Sequence, residues 1–203
     1  MGFYEKHLLP KILNSVMKAP ELTTLRAQLV PEATGNVLEV GIGSGLNLPY
    51  YAGDVKVTGI DPSTELQVYA REVAERSGVE VDFLSLSGED IPCEDNTFDS
   101  AVITWTLCTI PNPVRALAEI RRVLKPSGKM IFAEHGLSPD AGVARWQSRI
   151  NPVWKVIGGG CNLNRKIDEM ISQAGFTFDA LATGYIPGPK FATYNYRGVA
   201  KVI

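Results

Sequence analysis

Three glycines at alternate positions, Gly41, Gly43 and Gly45, follow the apolar run of Val37, Leu38 and Val40 in VLEVGIGSGLNLPYY. A dinucleotide fingerprint, G-x-G-x-x-G, would set its third glycine at position 46, which here is Leu46. Gly41 permits a tight turn, Gly43 lets a ligand approach the backbone, and Gly45 lets the next element begin close to it. The run VKVTGI then ends in Asp61-Pro62, 61 − 41 = 20 residues past the first glycine. An acid there can accept both hydroxyls of a ribose. The combination predicts a site for an adenosine-bearing cofactor. Two histidines are present. His135, after KMIFAE, falls at the end of a predicted strand, where it serves as a pocket base or polar anchor, or simply closes the strand on a backbone carbonyl. His7, with Tyr4, lies on an N-terminal segment that either folds over the cofactor as a lid or is one exposed face of an amphipathic helix.

The elements that must position these residues alternate. Helical segments are expected at 3–17 and 21–30, then a strand at 36–40 and a short helix after the glycine turn. VKVTGI is the second strand, followed by a helix of about four turns. VEVDFL and FDSAVITW are the third and fourth strands. Pro113 opens a helix that ends at LKPSG, since proline suits the first helical turn. KMIFAEH is the fifth strand. Such alternation predicts crossover units and a parallel sheet covered on both faces. FTFDALATGYI and ATYNYRGVAKVI, separated by PGPK, read as a hairpin that puts an antiparallel final strand at the end of the sheet.

Composition excludes several classes. At 203 residues with 45% hydrophobic and 21% charged content, one globular domain is expected. A net charge of −2 gives no reason to expect nucleic acid, whose partners carry a strong basic patch. No apolar run approaches the roughly 20 residues that cross a bilayer, and MGFYEKHLLPKIL has charges where a signal peptide is apolar. Cys93, Cys108 and Cys161 are odd in number and widely spaced. That spacing argues against a disulfide framework or a zinc site and fits a reducing cytoplasm.

G-x-G-x-G preceded by the acid Glu39 resembles the class I S-adenosylmethionine-dependent methyltransferases. VTGIDPS, LSGEDIPCEDNTFDSAVI and RRVLKPSGKMIFAEHG follow in that family's order and spacing. The resemblance implies an α/β, Rossmann-like doubly wound sheet of seven strands, mostly parallel with an antiparallel C-terminal strand, and a helical N-terminal extension. It divides one domain into a lid at 1–34, a cofactor half at 35–135, and an acceptor-side insertion with the hairpin at 136–203. It implies S-adenosyl-L-methionine as cofactor and S-adenosyl-L-homocysteine as product. Glu39, Gly41, Ile42, Gly43 and Asn47 would serve the methionine end. Asp61 would take the ribose and Pro62 would lie by the adenine. Gly88 and Glu89, after Ser87 in place of the family's usual Asp, would form the adenine edge. Thr104 and Leu107 would close over the sulfonium.

FYEKHLLP, TLCTIPNP and the tail RWQ…GGGCNLNR…GYIPGP…TYNYRGVAK narrow the resemblance. They look like a bacterial group similar to the alkyl thiol methyltransferases of animals and, more distantly, to quinone-biosynthesis methyltransferases. Without the animal enzymes' apolar N-terminal anchor, the protein is expected to be soluble. The acceptor is then a small, fairly hydrophobic molecule, first a thiol, with a lipid amine or a quinone-like ring as alternatives. A noncatalytic sensor of S-adenosylmethionine is the reading from another class. A thiol of pKa about 8.5 needs little base help, whereas an alcohol needs a positioned base. Tyr4, Cys108, Trp146, Trp154, Cys161, Asn164 and Tyr194 are the expected acceptor pocket, with His135 its candidate catalytic group. Cys108 alternatively only packs, as a small apolar residue. Asn162, Asn164 and Arg165 read as a polar rim. No metal is expected. Cysteine placement does not reproduce that of the arsenite methyltransferases.

Overall fold

The computed structural model describes residues 8–203. Seven strands form one sheet: β1 (Asn36–Val40), β2 (Lys56–Ile60), β3 (Glu80–Leu84), β4 (Phe98–Thr104), β5 (Leu124–His135), β6 (Phe176–Tyr185) and β7 (Tyr194–Val202). Their order across the sheet is β3-β2-β1-β4-β5-β7-β6. β1 pairs in parallel with β2 and β4, and β4 with β5, while β7 runs antiparallel to both β5 and β6. The antiparallel final strand is thus present, but it lies between β5 and β6 rather than at the sheet's end. β6 takes the edge.

The central strands are apolar on both faces, as strands covered twice must be. Leu38, Val40, Ala101, Ile103, Met130 and Phe132 point to one side. There they meet Leu117 and Ile120 of α4 (Pro113–Val123) and Ile167 and Ile171 of α6 (Ile167–Gln173). Val37, Val57, Val102 and Ile131 face the other side, with Leu29 of α2 (Pro20–Leu29) against them. Glu39 points to that second side, inside an otherwise apolar strand whose burial pattern is continuous from Val37 to Val40.

Helix starts follow local chemistry. The Ser63 hydroxyl accepts the Leu66 amide at the N-cap of α3 (Thr64–Ser77), and Gly78 ends that helix in a left-handed conformation at φ 69°. Asn112 accepts the Arg115 amide at the N-cap of α4, with Pro113 in its first turn. Two expectations change. The helix after the glycine turn is a single 3-10 turn at Leu48–Tyr50, and β5 begins at Leu124, so KPSG lies within a strand and not at a helix end. The N-terminal helical segment is α1 (Leu9–Val16); Tyr4 and His7 lie outside the described residues. α5 (Ala141–Ile157) is followed by three glycines, as expected. The last helix is α7 (Lys190–Thr193). Among the described residues no helix is long and apolar enough to cross a membrane.

Candidate active site

A cavity of about 780 Å³ lies beyond the carboxyl ends of β1, β2, β4 and β5, where an open α/β sheet collects its ligands. The glycine turn forms its floor. Gly41, Gly43 and Gly45 all have positive φ, 77°, 52° and 76°. A Cβ on Gly41 would stand 2.1 Å from the Thr106 hydroxyl, so that glycine is needed for close packing. A Cβ on Gly43 would meet nothing nearer than 3.9 Å. Its open side is cavity.

Asp61 binds the turn. Its Oδ2 accepts the Gly43 amide at 2.9 Å and its Oδ1 accepts the Ser63 amide at 2.8 Å. Burial raises its pKa despite those two donors. Asn47 Nδ2 donates to Glu39 Oε1 and to Thr104 Oγ1, each at 3.0 Å, while its Oδ1 is buried with no partner among the described residues. Glu39 Oε2 accepts the Tyr51 hydroxyl at 2.7 Å. Burial pushes the Glu39 carboxyl up to about 7, against the pull of the Tyr51 and Asn47 hydrogen bonds and the charge of Arg26. Arg26 is buried over the Trp105 ring at 4.7 Å and donates to the Met17 carbonyl at 2.7 Å. The Ser44 hydroxyl donates to Asn14 of α1 at 2.9 Å, and Leu13 and Asn14 line the cavity.

The far end is made of different material. His135, at the tip of β5, sets Nε2 3.2 Å from the Cys161 sulfur, and Trp154 Nε1 donates to that sulfur at 3.4 Å. Donor atoms of Cys108, His135 and Cys161 all lie within 4.8 Å of one another. Wide sequence spacing therefore did not keep the cysteines apart. Two loops place them. Asn162 donates from its amide and from Nδ2 to the Cys108 carbonyl, both at 2.9 Å. Arg165 Nη1 donates to the carbonyls of Leu107 and Ile110, the latter at 2.8 Å. Asn162 and Arg165 are thus internal staples between the 158–165 loop and the turn after β4, and not a rim. Glu134 Oε1 receives the amides of Thr106 (2.7 Å) and Leu107 (2.9 Å) and braces the same turn.

Titration behaviour follows burial. Glu134 is pushed up to about 7 by desolvation, which outweighs those backbone donors. The Cys161 thiol is raised by its contact with Cys108 and by burial, so its sulfur is protonated at neutral pH in the protein alone. For His135 burial lowers the pKa, but the Cys161 contact and the Glu134 charge raise it further, and the net shift is upward. Its Nδ1 is buried without a partner among the described residues.

Of the residues expected at the cofactor, Gly41, Ile42, Gly43, Asn47, Asp61, Pro62, Gly88 and Thr104 line the cavity. Glu39 stands one layer behind, holding Asn47 and Tyr51. Glu89 is turned to structure, accepting the Asn112 amide at 2.7 Å and the Ser87 hydroxyl at 2.9 Å. Leu107 is wholly buried in the core. At the acceptor end Cys108, His135, Trp154 and Cys161 line the cavity, whereas Trp146, Asn164 and Tyr194 do not. Trp146 is 53% exposed on α5. Tyr194 packs edge-on between Tyr185 and Tyr196, at 5.1 and 5.3 Å. Trp105 is a wall residue the sequence did not single out. It has φ 49°, a left-handed conformation strained for a bulky side chain, and its indole donates to Asn195 at 3.1 Å.

A family profile described as a methyltransferase domain matches residues 38–132, from β1 to β5. The chain is 35% identical over 145 residues to thiol S-methyltransferase TMT1B of Rattus norvegicus, covering 70% of this chain and 59% of that protein. It is 38% identical over 103 residues to a phosphatidylethanolamine N-methyltransferase of Cereibacter sphaeroides, 50% of this chain and 51% of the other. It thus spans about half to three-fifths of the length of these curated relatives. The solved structure of a geranyl diphosphate methyltransferase in complex with SAM superposes on 100% of this chain and 92% of its own, with a TM-score of 0.70 and 16% identity, a likeness of fold. That domain, those relatives and this sheet make the chain similar to the class I S-adenosylmethionine-dependent methyltransferases, with a methyltransferase domain over residues 38–132.

Proposed function

We propose that this protein transfers a methyl group from S-adenosylmethionine to the sulfur of a small, fairly hydrophobic thiol. One observation carries the reading: a single cavity runs from the glycine turn and Asp61 to an end lined around His135 by sulfur, aromatic and aliphatic side chains. The residues present fit the cofactor. Gly43 leaves open space at the cavity floor, and the orphaned Asn47 Oδ1 is an acceptor awaiting an N–H such as the cofactor's ammonium. Asp61, with both oxygens already aimed by backbone donors, retains lone pairs for a ribose diol. When bound, the cofactor supplies a methyl group already activated on a sulfonium.

What this chain adds is alignment and dryness. Ile110, Leu163, Ile186, Phe191 and the Trp154 ring exclude water from the acceptor end. Among the described residues the one arginine that lines the cavity, Arg26, is held by the Met17 carbonyl over the Trp105 ring, so a phosphate-bearing lipid head group would find little to bind it, whereas an apolar thiol needs no cation. Nor is a strong base required, since a thiol already ionises by a few per cent at neutral pH. The thiol S-methyltransferase relatives support the same acceptor class. The α1 segment, tied to the glycine turn through Asn14 and Ser44, would act as a lid over the cofactor.

The experiment is an acceptor screen with isotopically labelled S-adenosylmethionine, read by product mass, over alkyl and aryl thiols, phosphatidylethanolamine and quinols. Methylation of thiols ahead of the other classes is expected. Methylation of a lipid amine or a quinol with no thiol turned over would replace the reading.

A further inference from the structure

We propose that Cys108, His135 and Cys161 form a zinc(II) site whose open fourth position takes the acceptor's sulfur. The inference rests on the thiol reading above and says how that thiol is held. Two sulfurs and one imidazole are a soft-to-borderline donor set, suited to zinc and unsuited to magnesium or calcium, which require oxygen. Three protein ligands with one vacancy are the pattern of catalytic zinc, two cysteines and a histidine being one of its known forms; structural zinc closes all four positions. The distances agree. With Zn–S about 2.3 Å and Zn–N about 2.0 Å, the edges of a tetrahedron are roughly 3.5–3.8 Å. The three donor atoms lie within 4.8 Å of one another, with His135 Nε2 at 3.2 Å from Cys161 Sγ. Sub-ångström adjustments close the triangle on an ion.

Their surroundings support ligation. Each ligand sits on a braced element: His135 at the end of a strand paired to Asn195, Cys108 on a turn held by Asn162, and Cys161 beside that same Asn162. The Trp154 N–H aimed at Cys161 Sγ stabilises a thiolate there. Two thiolates and one Zn²⁺ sum to zero charge, so the Arg165 guanidinium nearby does not oppose the ion. All three residues line the same cavity as Gly43 and Asp61, so the fourth position is open to the cavity that the cofactor end shares.

The chemistry balances without a protein base. On coordination the acceptor's S–H proton passes to solvent, because a metal-bound thiol is deprotonated outright. The sulfur's electron pair forms the new S–CH₃ bond as the methyl–sulfonium bond breaks. Those electrons return to the departing sulfur, giving two neutral thioethers.

The test uses the full chain purified under reducing conditions and reconstituted with zinc sulfate or cobalt chloride. We expect about one zinc per chain in wild type and in Cys93→Ser, whose thiol lies outside the cluster. Cys161→Ser and His135→Ala should lose more than the roughly 10–100-fold in zinc affinity that removal of an outer-shell partner costs. Calorimetry with S-adenosylhomocysteine verifies that these variants are folded. The cobalt form of wild type, which needs no variant, should show a thiolate-to-metal charge-transfer band that strengthens when butanethiol is added. Failure to bind zinc or cobalt, or zinc held equally by Cys161→Ser, would overturn the site. An unchanged cobalt spectrum with butanethiol would overturn the open position. Metal-free protein that methylates thiols at the full rate would remove this inference and leave the proposed function standing. A metal-loaded protein that methylates an amine or a quinol but no thiol would remove the proposed function and, with it, the sulfur assigned to the fourth position.

Discussion

At the cofactor end of the cavity the walls are backbone, and at the acceptor end they are side chains. Gly41 and Gly43 shape the first by having no Cβ, and Asp61 fixes it through two main-chain amides. Cys108, His135, Trp154 and Cys161 shape the second, and each is brought in by a different element. A backbone site leaves little freedom of residue type, because φ and close approach decide what can stand there. A side-chain site depends on which loops happen to meet. The first end is therefore a property of the family, and the second is where this chain can differ from its relatives.

The largest expected effect separates two glycines of the turn, Gly41 and Gly43. Gly41→Ala would drive a Cβ to 2.1 Å from Thr106 Oγ1 at φ 77°. Backbone strain and overpacking together should cost about 3 kcal/mol or more of stability in denaturant unfolding. Gly43→Ala meets no neighbour within 3.9 Å, so its fold should lose only the roughly 1–2 kcal/mol of the left-handed conformation. Its new methyl group projects into the cavity, and cofactor affinity should fall at least tenfold by calorimetry. A Gly43→Ala protein that binds S-adenosylmethionine like wild type would show that the cofactor does not lie on this turn.

Asp61→Ala comes next. It removes the acceptor for the Gly43 amide and the ribose partner at once. Binding of S-adenosylmethionine and its demethylated product should weaken by about 1.5–3 kcal/mol, the range for hydrogen bonds to a charged group. Equal affinity would leave Asp61 as a turn brace only.

Glu39 tests what the second layer does. Its folded pKa of about 7 lies above the ordinary 4.5, so the folded state holds the proton more tightly than the unfolded chain. Stability from this group is fully present below about pH 4.5 and is lost as pH rises through 7. Glu39→Gln can still receive the Asn47 amide and meet the Tyr51 hydroxyl. Relative to this variant, wild type should lose on the order of 2 kcal/mol between pH 5 and 8. Parallel stability curves for the two proteins would mean that Arg26 keeps Glu39 ionised throughout.

This contrast also explains what was legible in the sequence. β1 and β4 read correctly because buried parallel strands are apolar runs bounded by turn residues, and the G-x-G-x-G turn reads because its backbone demands glycine. The insertion of β7 between β5 and β6 was not legible, since pairing order depends on long-range contacts and not on alternation. Neither was the meeting of Cys108 with Cys161, 53 residues apart in the chain (161 − 108 = 53), because the Asn162 staple that joins their loops has no local pattern. Glu134 left one signal, an acid inside MIFAEH, an otherwise apolar run. Trp146 misled because an aromatic on an amphipathic helix gives no hint of which face is covered.

The smallest effects compare the two tryptophans of α5, which sequence alone placed together in the acceptor pocket. Trp154 lines the cavity, packs edge-on against Phe191 at 5.6 Å and donates its N–H to Cys161 Sγ; Trp146 is mostly in solvent. Trp154→Phe retains a ring against Phe191 and deletes only the donor. It should lower kcat/KM for the best thiol by about 0.5–1.5 kcal/mol, the worth of one hydrogen bond, with cofactor affinity unchanged. Trp146→Ala should stay within about 0.5 kcal/mol of wild type in both stability and kcat/KM, as exposed substitutions do. The pair also controls for length and flexibility of α5, since both residues share that helix and only one of them faces sulfur. A loss in Trp146→Ala equal to that in Trp154→Phe would mean that the helix as a whole, and not the N–H at Cys161, sets the acceptor end, and the distinction between a backbone-built and a side-chain-built site would narrow accordingly.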